Sequence, residues 1–209
     1  MSTKNKPNKQ TEMSFIEKAR RAQIVECAID TLAEVGYAQA SLGQIAKRAK
    51  ISKGVISYYF TNKEELLEQV IIDYYIACQS FSCPQIEAQN TPEGMLQTYI
   101  ESNLKFIDKH RNHVFAVIEI VSNERTDEGK LRFAADHDET IFLPIKNILR
   151  LGMREGVFRE FSETALRVMA LTIRHAIDGF SLELMRNPDL NVNDYTKELI
   201  TIFERTTQK

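Results

Sequence analysis

The chain has 209 residues, 43% of them hydrophobic and 27% charged, and a net charge of −2. These values are typical of a globular protein large enough to bury its own core. No apolar run of about 18 residues and no basic, apolar leader is present, so we expect neither a membrane span nor a secretory signal.

Charge is distributed unevenly along the chain. Residues 1–63 contain eleven Lys and Arg against five Asp and Glu, whereas the remaining residues contain sixteen against twenty-four. A basic segment attracts phosphates, and an acidic body discourages wrapping by nucleic acid. Residues 1–13 are polar and contain three lysines, and we expect them to form a disordered arm.

Apolar periodicity predicts about nine helices and no strand. Gly36 is expected to stop the first helix, Ser82–Gln85 to break the fourth, Pro144 to kink or split a later one, and Gly156 to end it. Besides two short helices within 41–60, the predicted helices lie near 17–35, 63–80, 92–109, 111–124, 162–186 and 193–206, with a further segment ending at Glu155.

Residues 41–63 carry the most informative pattern. Ser41 and Gln44 form a capping box for a short apolar-striped helix, and Ser52 and Asn62 are expected to cap the two helices that follow. The second helix leaves Lys53, Gly54, Ser57 and Tyr58 outward, with Val55, Ile56, Tyr59 and Phe60 inward. A merely solvated face is the alternative, but it favours Glu, Lys and Ala. Small and aromatic side chains on an outward face are typical of a helix presented to the major groove of DNA.

The sequence of residues 52–66, Ser-Lys-Gly-Val-Ile-Ser-Tyr-Tyr-Phe-Thr-Asn-Lys-Glu-Glu-Leu, resembles the signature of the TetR family of bacterial transcriptional regulators. The sequence Ala-Ile-Asp-Thr-Leu-Ala-Glu-Val-Gly-Tyr at 28–37 is similar to the part that precedes it. The chain departs from the family pattern at Lys50, where Gly is common, at Ser57, where an aromatic is common, and at Tyr59, where His is common.

The resemblance implies an all-α fold with two domains. A three-helix, helix-turn-helix DNA-binding domain is expected at 14–62, and a larger helical domain for effector binding and dimerisation at 63–209. The implied function is a ligand-responsive regulator, a repressor in particular, that binds a palindromic double-stranded DNA operator as a homodimer and is released by a small apolar or aromatic effector. The alternative is a DNA-binding regulator without such a ligand, controlled by a protein partner.

The resemblance and the helical pattern together nominate two sets of site residues. We expect the helices near 162–186 and 193–206 to pair with a second copy, although burial within one monomer stays open. The DNA-binding candidates are Ser41, Lys53, Gly54, Val55, Ser57, Tyr58, Tyr59 and Lys63. The effector-binding candidates are Tyr74, Cys78, Tyr99, Phe106, Phe115, Glu119, Phe142 and His175, with Arg174 and Asp178 as further polar candidates.

Catalytic and metal chemistry receive little support from the sequence. Phosphate-binding loops, hydrolase nucleophile motifs and zinc-protease motifs are missing, so we expect no enzyme, no cofactor and no metal site. Asp136–Glu139 and the pair His110 and His113 suit polar helix ends better than metal ligands. An odd cysteine count favours a reducing cytoplasm, and a redox pair of Cys78 and Cys83 stays open.

Overall fold

The computed structural model describes residues 13–133 and 139–209, which form nine α-helices, a short 3-10 turn and no strand. The all-α prediction is therefore confirmed for these residues. The helices are α1 (Phe15–Gln39), α2 (Leu42–Arg48), α3 (Lys53–Tyr59), α4 (Lys63–Glu87), α5 (Pro92–Lys109), α6 (Arg111–Asn123), α7 (Leu143–Glu155), α8 (Glu163–Arg186) and α9 (Val192–Thr207), with the 3-10 turn at Glu139–Phe142. The arm expected at 1–13 lies outside the described residues except for Met13.

The predicted start signals of α2 and α4 are confirmed. Ser41 forms its capping box, and Asn62 caps α4 by accepting a hydrogen bond from the backbone N–H of Glu65. Helix α1 begins at a capping box of Ser14, which was not predicted. Ser52 occupies the cap position of α3, but its side chain makes no capping hydrogen bond. The backbone of Gly36 adopts a φ of 73°, so the helical conformation is interrupted there as predicted.

The turn between α2 and α3 places an ordinary side chain in the left-handed region. Lys50 has a φ of 54°, and it is the one non-glycine residue with positive φ in the described ranges. A side chain in this conformation costs about 1–2 kcal/mol. The expectation that the turn must tolerate a side chain where glycine would fit better is confirmed.

Helix α4 is longer than predicted, because it continues through Pro84 to Glu87. The expected break at Ser82–Gln85 was wrong. Proline removes one hydrogen bond to the carbonyl four residues earlier, here that of Ser80. Ser80 is exposed, so water can bind this carbonyl, and the helix continues for one more turn. Helix α4 ends at Glu87 with Ala88 as its C-cap, and Thr91 then caps α5, which has Pro92 in its first turn.

Pro144 opens a helix instead of kinking one. It lies in the first turn of α7, where its missing N–H leaves no carbonyl without a partner. Gly156 ends α7 in the left-handed conformation, as predicted. Of the acidic and histidine cluster at 136–139, residues 136–138 lie outside the described residues.

The short helices α2 and α3 pack on α1, and α1 packs in turn on α6. The centre of this N-terminal domain is formed by fully buried Ile24, Leu32, Ile45 and Ile56. Helices α1 and α6 share the most extensive interface between helices in the described ranges. The N-terminal domain is therefore attached to the rest of the protein mainly through one helix of the larger domain.

Candidate nucleic-acid interface and ligand cavity

The outward face of α3 is exposed as the sequence predicted. Lys53, Gly54, Ser57 and Tyr58 are all exposed, and the Tyr58 ring is 71% exposed. The opposite face is closed by Ile56, which is fully buried. The conformation leaves α3 with a polar and aromatic surface that no described part of the chain covers.

Tyr58 is held in place by the first turn of α1. Its hydroxyl donates a hydrogen bond of 3.1 Å to Oε1 of Glu17, and its ring packs edge-on against Tyr59 with centroids 4.9 Å apart. Hydrogen bonds from the backbone and side chain of Ser14, and then from Tyr58, lower the pKa of Glu17. Glu17 therefore stays ionised and fixes the ring of Tyr58 relative to α1.

The other residues predicted to contact DNA differ in their exposure and in their contacts within the protein. Val55 and Tyr59 are half-buried, so part of each side chain is exposed, and Tyr59 also packs against the core. Ser41 is exposed, but its hydroxyl already caps α2. Lys63 lies in the first turn of α4, with its Nζ 4.4 Å from the centre of the Tyr37 ring.

A cavity of about 670 Å³ lies in the larger domain between α4, α6 and α8. Cavities of this size accommodate small organic ligands, and apolar walls with a few polar groups are typical of such sites. The described lining residues are Ile71, Tyr74, Tyr75, Val114, Val117, Ile118, Val121, Ser122, Phe133, Ile141, Phe142, Arg174, His175, Asp178, Gly179, Ser181 and Leu182.

The structure brings together only part of the predicted effector set. Tyr74, Phe142 and His175 line the cavity, as do Arg174 and Asp178. Sequence reasoning missed the aliphatic wall of α6, because a stripe of Val and Ile there is also typical of ordinary core. The residues placed outside the lining are Cys78, Tyr99, Phe106, Phe115 and Glu119.

Most of these residues lie outside the lining because they pack in the interior. Tyr99 and Phe106 are buried between α4 and α5 and their neighbours. The Sγ of buried Cys78 hydrogen-bonds Oδ1 of Asn103 at 3.4 Å, and Phe115 is a half-buried residue packed against the core. We therefore transfer the effector proposal from these side chains to the lining residues.

Glu119 faces α1 instead of the cavity. Its Oε2 accepts a hydrogen bond of 2.7 Å from the backbone N–H of Tyr37, just after the break at Gly36. The hydroxyl of Tyr37 donates to the carboxylate of buried Glu124. Burial and this hydrogen bond raise the pKa of Tyr37 to about 12. We call Tyr37, Glu119, Glu124 and Lys63 the interdomain link, because they connect the N-terminal domain with the larger domain.

The link and the cavity share one helix. Val117, Ile118 and Val121 of α6 line the cavity, whereas Glu119 of the same helix binds α1. A rotation or shift of α6 that accommodates a ligand would therefore move the attachment point of the N-terminal domain.

Arg174 and Asp178 form a charged pair in the otherwise apolar wall. Nη2 of Arg174 lies 2.8 Å from Oδ1 of Asp178, one helical turn along α8, and Nε donates to Oδ2 at 3.3 Å. The Arg174 side chain is 14% exposed and that of Asp178 is 51% exposed. Burial opposes the charge of Arg174, yet Asp178, Tyr99 and Tyr75 raise its pKa overall, so the guanidinium stays charged.

A second, polar cleft of about 430 Å³ lies between α1 and the corner of α5 and α6. Arg111 in this cleft is already paired within the protein, because it binds Asp108 at 2.5 Å and the carbonyl of Pro188 at 2.7 Å. His113 uses Nε2 to contact the carbonyl of Val70 at 2.9 Å. In the described ranges, His, Cys, Asp and Glu side chains form no cluster suited to a metal ion.

Helices α8 and α9 expose an apolar surface. Val168, Leu182 and Met185 of α8 and Ile202 of α9 are between 41% and 56% exposed. The opposite side of α8 is fully buried through residues such as Ile173, Ile177 and Phe180. Scattered exposed apolar side chains are normal, and a large contiguous group of them is typical of an interaction surface. Leu182 also lines the cavity.

The helix-turn-helix region matches the family described as bacterial regulatory proteins of the tetR family, over residues 24–70. The regulator BetI of Cronobacter sakazakii, an HTH-type transcriptional regulator, is 31% identical over 180 residues, covering 82% of this chain and 87% of that protein. The chain belongs to the tetR family of bacterial regulatory proteins. It is therefore a DNA-binding transcriptional regulator and not an enzyme.

Other relatives match over a shorter region. BetI of an Escherichia coli O17:K52:H18 strain is 32% identical over 90 residues, and the alignment covers 46% of that protein, about half its length.

None of the helices in the described ranges is long and apolar enough to traverse a bilayer.

Solved structures agree in fold. The regulator FadR of Bacillus subtilis in complex with stearoyl-CoA has a TM-score of 0.75 and 20% identity, covering 88% of this chain and 98% of that one. The ketosteroid regulator KstR2 of Mycobacterium tuberculosis has a TM-score of 0.69 and 19% identity, covering 91% and 95%. At these identities the likeness shows the fold of an N-terminal helix-turn-helix domain joined to a helical domain.

Proposed function

We propose that this regulator is a ligand-responsive repressor that binds a palindromic operator as a homodimer and leaves it when a small molecule occupies the cavity. The observation that carries this proposal is the double role of α6, which lines the cavity with Val117 and Ile118 and holds the N-terminal domain through Glu119. The ligand-bound FadR structure supports a small-molecule ligand for this fold.

Base recognition is assigned to the exposed face of α3. Lys53 can donate to guanine, Val55 can contact a thymine methyl, and Gly54 permits close approach of the backbone. Ser57 and Tyr58 extend this surface. We assign phosphate contacts to Ser41, Tyr58, Tyr59 and Lys63, the last aided by the N-terminus of α4.

The dimer is assigned to the exposed apolar surface of α8 and α9. One recognition helix contacts few bases, so two copies are needed for a specific site, and half-sites in successive major grooves lie about 34–36 Å apart. A ligand that shifts the N-terminal domains by a few ångströms changes this spacing. The ligand can release the protein from DNA only to the extent that it binds the DNA-free conformation more tightly than the DNA-bound one.

The DNA part of the proposal is tested by selecting genomic fragments with the purified protein and sequencing them. We expect an inverted repeat that binds two copies, measured by fluorescence anisotropy and analytical ultracentrifugation. A compound library added to the preformed complex should then contain effectors that lower the anisotropy. Recovery of unrelated fragments, or a single half-site bound by one copy, would contradict the dimeric operator model, and release only by a protein fraction would favour the partner-controlled alternative.

The dimer surface has a matched control within the chain. Ile202→Glu introduces a charge into the apolar surface, and we expect it to shift the protein from dimer to monomer and to weaken operator binding. Ile76→Glu on α4 changes a side chain of similar exposure, 58% against 53%, and should leave the dimer intact. Equal sedimentation of both variants with wild type would reject this surface.

A further inference from the structure

We infer that the cavity ligand is an apolar molecule bearing one anionic group, most simply a carboxylate, which binds the guanidinium of Arg174 in place of Asp178. This inference rests on the proposed function and deepens it by naming the ligand class. It is carried by the position of Arg174 in the cavity wall, by the exposure of its partner and by the apolar surroundings.

Arg174 provides a cation in the cavity wall. It lies among Tyr74, Tyr75 and aliphatic residues, and the other polar side chains of the described lining, besides Asp178, are Ser122, His175 and Ser181. A charged group in such surroundings is favourable only with a hydrogen-bonded counter-ion. A guanidinium presents five N–H donors in a planar fork that matches a carboxylate. The site is therefore suited to an anion and repels a ligand cation.

Asp178 is the present counter-ion of Arg174. Asp178 is about half exposed, whereas Arg174 is 14% exposed. A pair between residues four apart on a helix, with one partner in solvent, is weak because water screens it. Asp178 can therefore rotate toward solvent at small cost. Tyr99 is buried and close enough to interact electrostatically with Arg174, so the guanidinium keeps a polar neighbour when Asp178 leaves.

Apolar side chains line the part of the cavity that would hold the apolar portion of the ligand. Val117, Ile118, Val121, Phe142 and Leu182 surround the remaining volume of the cavity. An apolar chain or ring that fills this volume excludes water from Arg174. A hydrogen bond between charged groups is stronger when water is excluded. The ligand carboxylate thus gains more from Arg174 than the half-solvated Asp178 does.

Binding is tested by isothermal titration calorimetry on the full chain without DNA. Two probe series are used, decanoate with decanol and decylamine, and 1-naphthylacetate with its alcohol and amine analogues. We expect at least one acid to bind at least tenfold more tightly than its alcohol, and both amines to bind more weakly still. Equal or tighter binding of the alcohols or amines, or no binding of either acid, would overturn the inference.

Substitution of the pair gives the sharper test. Asp178→Asn removes the competing carboxylate, so we expect the acid to bind at least fivefold more tightly. A ligand cation would instead lose its partner, and weaker or unchanged binding of the acid would overturn the inference. Asp189→Asn, an exposed aspartate in the loop after α8, serves as the matched control and should leave the affinity unchanged.

Arg174→Gln should weaken the acid at least tenfold and leave the alcohol unchanged, with Arg186→Gln at the exposed end of α8 as control. If Arg174→Gln fails to fold, as judged by circular dichroism, the Asp178→Asn result decides. The inference about the ligand class is rejected if the acid does not bind but another compound releases operator DNA. The proposed function fails when the acid binds and operator affinity does not change.

Discussion

The backbone N–H of Tyr37 donates a hydrogen bond of 2.7 Å to the carboxylate of Glu119, which joins the end of the first helix to the helix that lines the ligand cavity. Because Gly36 breaks the helix just before Tyr37, this amide has no partner within α1 and uses the glutamate instead. A charge-assisted bond of this kind stabilises the junction by about 1.5–3 kcal/mol. We therefore propose that motion of α6 reaches the N-terminal domain through this junction.

Glu119→Ala tests this junction. We expect the free energy of unfolding to fall by about 1–3 kcal/mol, since the partly buried N–H of Tyr37 loses its acceptor. We also expect the ratio of operator affinities with and without an effector from the anisotropy screen to shrink at least threefold. Glu155→Ala, an exposed glutamate at the end of α7, is the control. A variant with an unchanged affinity ratio would show that coupling runs elsewhere.

Lys63→Ala tests the phosphate contact at the start of α4. Removing one phosphate contact lowers the slope of log affinity against log salt by about one. Anisotropy titrations at several salt concentrations measure this slope. Lys105→Ala, an exposed lysine of α5 paired with Glu101, should leave it unchanged. If both variants give the wild-type slope, Lys63 does not contact phosphate.

Lys50→Gly tests the strained turn between α2 and α3. Glycine adopts the φ of 54° without steric cost, so we expect the free energy of unfolding to rise by up to about 1 kcal/mol, partly offset by the greater freedom of the unfolded chain. Lys47→Gly within α2 should instead destabilise by about 1 kcal/mol. Urea unfolding of both variants makes the comparison. A loss of stability in Lys50→Gly would mean that the lysine side chain contributes more than its strain costs.

The cysteines differ in their expected reactivity. Burial raises the pKa of Cys78, whereas Cys83 is exposed. We expect a thiol reagent at neutral pH to modify Cys83 quickly and Cys78 only on unfolding. Peptide mapping by mass spectrometry measures both. Recovery of a Cys78–Cys83 disulfide after mild oxidation of the folded protein would restore the redox hypothesis.

Local signals in the sequence predicted the short helices of the N-terminal domain well. The capping box of Ser41, the cap at Asn62 and the outward set on α3 depend on residues three or four apart, and each is seen in the structure. Pro84 misled because its effect depends on its distance from the helix end and on the exposure of the carbonyl it leaves free. Neither property is visible in a short stretch of sequence.

The cavity was harder to predict because it depends on which faces of distant helices meet. Tyr99 and Phe106 are aromatic residues of the kind that often line ligand sites, but they pack inside the core. Glu119 was predicted to bind the effector, but it lies outside the cavity lining. Its partner is the backbone of Tyr37, 82 residues earlier in the chain, and no local pattern indicates that pairing.

The central claim, that the exposed face of α3 binds operator DNA, is tested most directly by Tyr58→Ala. Fluorescence anisotropy with the selected operator measures affinity, and circular dichroism with ultracentrifugation confirms that the variant is folded and retains its oligomeric state. Ile76→Ala, which truncates an exposed apolar residue on α4, is the matched control. We predict at least a tenfold loss of operator affinity for Tyr58→Ala and none for the control, and wild-type affinity of a folded Tyr58→Ala variant would contradict the account.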